Sequence, residues 1–280
     1  MTMAIEIRVL KTNPELKLVE NLERLVWGSD AIPTHQTITA AKNGGLILGA
    51  FLQGELVGFS YSFPGFLDGK VYLCSHNLGI HPDHQEKGIG ASLKEAQKNA
   101  ALDMGYRMIT WTYDPLETRN AYLNLSKLGA ICHTYDENCY GELEDGLNAG
   151  LPTDRFKVEW WIGSKHVDEQ QQRSLRYTDQ PHHVLGWEPN SDQLPRLKGE
   201  LGLAELAHDG RPILVPVPSN IQEVKRQSLS LAIEWRMKTR HIFQTLFGLG
   251  YTAVLLKKSN GEPVHHYVLA KRSELAVPSE

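Results

Sequence analysis

The sequence predicts a mixed α/β fold, and three observations predict it. Apolar runs of strand length alternate with segments whose apolar residues recur at helical spacing. The first strand-like runs follow one another across two- or three-residue turns, as antiparallel hairpins do. Later runs are separated by helical segments, as crossover connections require. The chain has 280 residues, 41% of them hydrophobic, enough for a sizeable core and, by length, two modest units. A formal charge of -4 and the absence of any dense Lys/Arg run exclude a nucleic-acid surface and a polybasic membrane anchor. No window reaches the roughly eighteen apolar residues of a membrane span. "MTMAIEIRVL" has neither the apolar core nor the cleavage site of a signal peptide. A soluble, cytoplasmic protein is expected. Cys74, Cys132 and Cys139 are an odd number without metal-type pairing, so they read as free thiols and no metal is expected.

In order along the chain, "IEIRVL" reads as an opening strand. "NPELKLVENLERLVWGSD" follows as a helix on Leu18, Leu22, Leu25 and Val26, with Pro14 in its first turn and Gly28 as its stop. "THQTITAAKNGG" is a second short helix ending at paired glycines. "LILGAFLQ", "LVGFSYSFPG" and "VYLCSHNLGI" are strands joined by the hairpin signals "GE" and "DGK". From Gly88 to Met104 a helical face is drawn by Ile89, Leu93, Ala96, Ala100 and Met104, with Gly105 as C-terminal cap. "YRMITWTYDP" is a strand and "LETRNAYLNLSKLGA" a helix of roughly four turns closed by Gly129. "ICHTYDENCYG" and "DRFKVEWWIGS" are two further strands. Residues 166–210, rich in Gln, His, Pro and charge, read as a linker with irregular structure. Beyond it come a strand in "RPILVPVPSN", one helix from Ile221 to Phe247, and strands in "YTAVLLKK" and "VHHYVLAKR" across an "NGE" turn.

The segment between the third hairpin strand and the following helix, "HQEKGIG", carries the clearest chemistry. Gly88 and Gly90 remove side chains where the backbone turns and approaches another group. A helix begins there, so its first N–H groups point outward with the positive end of the helix dipole, which suits phosphate. Lys87 adds a cation. A bland strand-to-helix turn has the same two glycines. A dinucleotide fingerprint is excluded, because it needs a third glycine and a place after the first strand of a βαβ unit.

"LGIHPDHQEKGIGASL" resembles the acyl-CoA-binding motif of the GNAT superfamily of N-acetyltransferases, and the order of elements over roughly residues 5–163 is similar as well. The resemblance implies a GNAT-like fold that binds acetyl-CoA as acyl donor. It implies a pyrophosphate cradle of Gln85, Glu86, Lys87, Gly88, Ile89 and Gly90, and pantetheine and thioester contacts from the backbone of Leu78, Gly79 and Ile80. The family's following helix reads Asn-x-x-Ala-x-x-Leu-Tyr-x-Lys-x-Gly-Phe, with the tyrosine as general acid. "TRNAYLNLSKLGA" matches it at Ala121, Lys127 and Gly129 but has Leu125 at the tyrosine position and Thr118 at the asparagine position. Tyr122, one turn away, is the candidate acid, against a packing role. Asn120 and Asn124 share a helix face at i, i+4; Asn120 is the candidate pantetheine ligand, against a solvated polar face. At the position of the family's strand glutamate stands Cys74. His76, two residues on and on the same face, is the candidate base, against a structural histidine.

The C-terminal part contains an echo. "TRNAYLNLSKLGA" and "TRHIFQTLFGLGY" share Thr-Arg and Leu-x-x-Leu-Gly in register, so residues 211–280 read as a degenerate GNAT half, strand-helix-strand-strand, without a phosphate turn. Chance similarity between amphipathic helices is the alternative. Such a unit completes a sheet, covers an acceptor cleft or forms an interface. Arg236 and Arg240, at i, i+4, are a candidate carboxylate grip, against a solvated charged face. The domain reading is therefore 1–165, a linker over 166–210, and 211–280. The function reading is transfer of an acyl group from acetyl-CoA to a small-molecule or peptide amine, with a homodimer left open. A non-catalytic acyl-CoA-binding sensor or scaffold and an interaction protein with no retained ligand are the alternatives.

Overall fold

The computed structural model describes residues 5–28, 31–85, 87–141, 149–169, 176–177, 180–199 and 209–278. The chain divides into two compact units, Met1–Trp111 and Thr112–Glu280. The first opens with β1 (Glu6–Val9), α1 (Asn13–Trp27) and α2 (Thr34–Lys42), followed by β2 (Leu46–Leu52), β3 (Glu55–Leu67) and β4 (Lys70–Ile80). α3 (Ile89–Asp103) then leads to β5 (Ile109–Tyr113), whose first three residues belong to this unit. Its strands lie in sequence order, antiparallel from β1 to β4, with β5 parallel to β4. Both hairpin turns have two consecutive residues at positive φ, Gln53–Gly54 at 53° and 85° and Asp68–Gly69 at 51° and 76°. That backbone matches the strand twist, which is why the "GE" and "DGK" signals are legible. α1 starts where the Glu15 carboxylate accepts from the Thr12 amide at 3.0 Å and ends at Gly28, φ 94°. It packs Leu16, Val19 and Leu22 on Ile47, Phe51, Phe59 and Tyr61. Burial of each such side chain contributes about 1.5–3 kcal/mol.

Two features of this unit differ from the periodicity. First, β4 pairs Asn77 with Tyr61 and Ser75 with Ser62, so His76 is an extra residue, a β-bulge. The bulge resets the side-chain alternation and turns both His76 and Asn77 toward the α1 side. Second, the buried face of α3 is Ile89, Leu93, Lys94, Gln97 and Ala101; Met104, expected inside, is 45% exposed. The apolar count missed this face because two of its members are polar and satisfy one another.

In the second unit, α4 (Thr118–Ala121) runs directly into a π-helical turn, Tyr122–Lys127, where the Leu128 amide donates to the Leu123 carbonyl at 2.9 Å. The expected four-turn α-helix is thus partly widened, and Asn120 and Asn124 do not share a face: Asn120 is exposed and Asn124 buried. β6 (Ile131–Asp136), β7 (Arg155–Trp160), α5 (Lys165–Asp168), β8 (His182–His183), β9 (Gly186–Pro189) and β10 (Pro195–Lys198) follow. Among the described residues, the stretch without sequence period therefore holds a short helix and three short strands, β9 and β10 forming a separate hairpin. β11 (Ile213–Pro218) precedes α6 (Ile221–Gln227) and α7 (Leu229–Gly248), then β12 (Tyr251–Lys257) and β13 (Val264–Lys271). The one long helix expected from Ile221 is two: Ser228 leaves helical geometry at φ -151° and its hydroxyl caps the second by accepting from the Leu231 amide.

The strand order within this unit is β7-β6-β12-β13-β11-β8. β12 pairs with β6 at Ala253 and Cys132, so the C-terminal strands extend the sheet that β6 and β7 begin. Thr118 opens α4 whereas Thr239 lies in the interior of α7; the two echoing segments occupy different places in their helices. Arg240 makes two 2.8 Å bonds to Asp154 and one of 2.9 Å to Glu137. Arg236, fully buried, pairs with Asp114. The carboxylates these arginines grip are the chain's own.

Candidate functional site

The end of β4 and the glycine turn come together in the first unit. β4 is held on one side by β3 through Ile80, opposite Gly58. On the other side its pairing with β5 is confined, among the described residues, to Leu73–Ile109 and Cys74–Thr110. From Ser75 to Ile80 that edge of β4 has no strand partner among the described residues, which leaves backbone donors and acceptors for an extended guest. Gly79 is required by the chain itself, since a Cβ there would lie 2.6 Å from the Phe59 ring.

After β4 a 3-10 turn, Pro82–His84, is closed by the His81 imidazole, which accepts from the Asp83 amide at 3.2 Å. Gly88 then stands at φ 80° as N-cap of α3, a left-handed conformation that excludes most other residues. The first α-helical bond is Ser92 N–H to Gly88 O, so the amides of Ile89, Gly90 and Ala91 have no partner within the helix. Gly90 has ordinary helical backbone, and a Cβ on it would meet only Leu78 Cδ2 at 3.6 Å. A helical glycine costs about 1 kcal/mol against alanine. Among the described residues, no close contact requires that cost at Gly90.

The remaining expected ligands are placed as follows. Ile89 is buried, 2% exposed, so only its amide is available. Lys87 is exposed and its Nζ donates to the Asp83 carbonyl at 2.9 Å. Gln85 is exposed beside it, and Glu86 lies outside the described residues. Asn120 and Tyr122 belong to the second unit. Tyr122 is half-buried, with Lys258 Nζ 4.0 Å and Lys127 Nζ 5.5 Å from its ring centroid. Leu125, at the position of the family's acid, is wholly buried.

His76, on the bulge, packs its ring against Tyr61 and Phe63, with centroids 6.0 and 5.7 Å away. Desolvation by those neighbours lowers its pKa below the usual 6.5, against a smaller opposing pull from Glu23, so at neutral pH it is a free base. Two groups escaped the sequence reading. Glu23, buried on α1, accepts from Asn77 Nδ2 at 2.5 Å and from the Ile32 amide at 2.9 Å. Lys94, 5% exposed on α3, donates to Ser75 Oγ at 2.9 Å and Gln97 Oε1 at 3.1 Å. Both stand where the helical period demands a core residue, and that mismatch is the signal that finds them.

The described residues include no cluster of His, Cys, Asp and Glu arranged to hold a metal, no helix long and apolar enough to cross a membrane, and no disulfide among the three cysteines.

Comparison with known proteins gives a family. Residues 16–126 match the acetyltransferase (GNAT) family. Similar solved structures include the ribosomal-protein-S18-alanine N-acetyltransferase of Escherichia coli, 18% identical over 57% of this chain and 94% of that one, with a TM-score of 0.47. A GNAT family acetyltransferase from Elizabethkingia anophelis with acetyl-CoA bound is 20% identical over 56% and 98%, TM-score 0.45. Arabidopsis thaliana Naa50, in complex with a bisubstrate analogue, is 14% identical over 55% and 97%, TM-score 0.45. No curated protein matches the chain. Residues 16–126 are an acetyltransferase domain of the GNAT family.

Proposed function

We propose that the protein transfers an acyl group from acetyl-CoA, or a related acyl-CoA, to a primary amine by direct attack. The observation that carries this reading is Gly90: a helical glycine whose Cβ would meet only Leu78 Cδ2, at ordinary contact distance, set among amides without a helical partner and beside the edge of β4 that, among the described residues, β5 leaves uncovered. The amides of Ile89, Gly90 and Ala91, with Lys87 and Gln85 at the rim, would hold the pyrophosphate. The backbone of Leu78, Gly79 and Ile80 would pair with the pantetheine as an added strand. Bound there, the donor supplies an activated acyl carbon. His76, a free base at neutral pH, takes the proton from the acceptor amine, and Tyr122 and Asn120 are carried as further candidates on the helix that follows β5.

A second reading, an acyl-CoA-binding sensor, draws on Leu125: a buried leucine where the family has its acid. Calorimetric titration with acetyl-CoA, followed by thiol release across a panel of small and peptide amines, separates the two. Saturable binding with acceptor-dependent release is expected. Binding without release from any amine would favour the sensor, and no binding would remove both.

A further inference from the structure

We propose that Lys94 is the proton donor to the departing CoA thiolate, acting from the floor of the fork between β4 and β5. The proposal rests on the acyl-transfer reading above. β4 and β5 run together for two residue pairs, ending at Cys74 and Thr110. The next residues on the two strands, Ser75 and Trp111, are the first to flank the opening. Lys94 Nζ is 2.9 Å from Ser75 Oγ and 3.6 Å from the Trp111 ring centroid, so the amine sits where the open edge of β4 begins.

The surroundings of Lys94 are built of neutral groups. α3 presents Gln97, which donates to Ser62 Oγ at 2.6 Å and to Ser75 Oγ at 3.1 Å. β2 is wholly apolar, β3 contributes Ser62, β4 Ser75 and Cys74, and β5 Trp111. Cys74 is the titratable group whose charge bears on Lys94, and desolvation outweighs it: the amine is held at about 7 instead of 10.5. A buried ammonium without a carboxylate is a net cost to folding. A donor that must give up a proton near neutral pH has these properties. The reaction balances without any further reagent. A bond forms between the acceptor nitrogen and the acyl carbon, the C–S bond breaks, and the sulfur takes its proton from Lys94. The acceptor's proton goes to His76, and solvent exchange restores both groups.

The test is a pH titration of the full chain labelled with 13C at lysine Cε, the Lys94 signal being identified by its loss in Lys94→Arg. It is run alone, with CoA, and with the CoA analogue that carries hydrogen in place of the thiol. A Lys94 midpoint raised by about one unit or more by CoA, through pairing with the thiolate, and unmoved by the sulfur-free analogue, is expected. Equal effects of the two, or none while both bind, would overturn the proposal and leave acyl-CoA binding standing. Failure of both to bind would overturn the proposal together with the reading it rests on.

Discussion

The two units each bury cations, and they treat them in opposite ways. In the second, Arg240 is matched by Asp154 and Glu137, Arg236 by Asp114, and Asp154 also accepts from Tyr135 at 2.6 Å. In the first, the partners of Lys94 among the described residues are Ser75, Gln97 and the Trp111 ring, with Cys74 near enough to bear on its charge. Arginine keeps its charge whatever its surroundings, so burying it demands a carboxylate. Lysine can shed its proton instead, and a site that offers it no counter-charge selects for that. The first arrangement is scaffolding; the second leaves a proton free to move.

Breaking the scaffold should have the largest effect. Asp154→Ala removes two of the three carboxylate bonds of Arg240 and takes the acceptor from Tyr135 and the Asn138 amide, and is expected to cost about 3–5 kcal/mol in urea unfolding. Lys94→Met should do the reverse for stability. The shift from 10.5 to about 7 is on the order of 5 kcal/mol at about 1.4 kcal/mol per unit. A lysine whose folded pKa lies below its unfolded one costs most below about pH 7, and the cost fades as pH rises toward 10.5. Lys94→Met is therefore expected to be more stable than the natural chain at pH 6, with the gap closing by pH 10. The same variant should bind acetyl-CoA normally yet transfer about 100-fold more slowly; equal rates would return Lys94 to a structural role.

His76→Asn should also lower transfer about 100-fold and remove the fall in rate on the acid side, which lies below pH 6.5 because desolvation beside Tyr61 and Phe63 lowers the histidine. The smallest effect is expected from Lys87→Ala. Its ammonium is exposed and already hydrogen-bonded to Asp83, so acetyl-CoA affinity should fall by no more than about 1 kcal/mol, read by calorimetry.

Legibility in the sequence followed the range of the interaction. Gln53–Gly54, Asp68–Gly69 and the Gly88 turn are local backbone requirements, and each was readable from two or three letters. The bulge at His76 was not, because it exists only in the register between β3 and β4. Nor was the inward face of α3: Lys94 and Gln97 look like solvated residues until Ser62 and Ser75 arrive from two different strands. Ser228 shows the intermediate case, a cap inside a continuous apolar period that the period alone passes over. The glycine turn was legible as a left-handed entry into a helix, while the placement of His76 and Lys94 depends on contacts across tens of positions.

The central claim is that Gly90 keeps space for an acyl-CoA, and substitution there tests it most directly. Gly90→Trp meets no neighbour closer than ordinary contact at its Cβ and needs no left-handed backbone, so the fold should survive, unlike a change at Gly88. Calorimetric titration with acetyl-CoA is expected to show saturable binding by the natural chain and none by Gly90→Trp at unchanged thermal stability. Equal affinity in the two proteins would contradict the account.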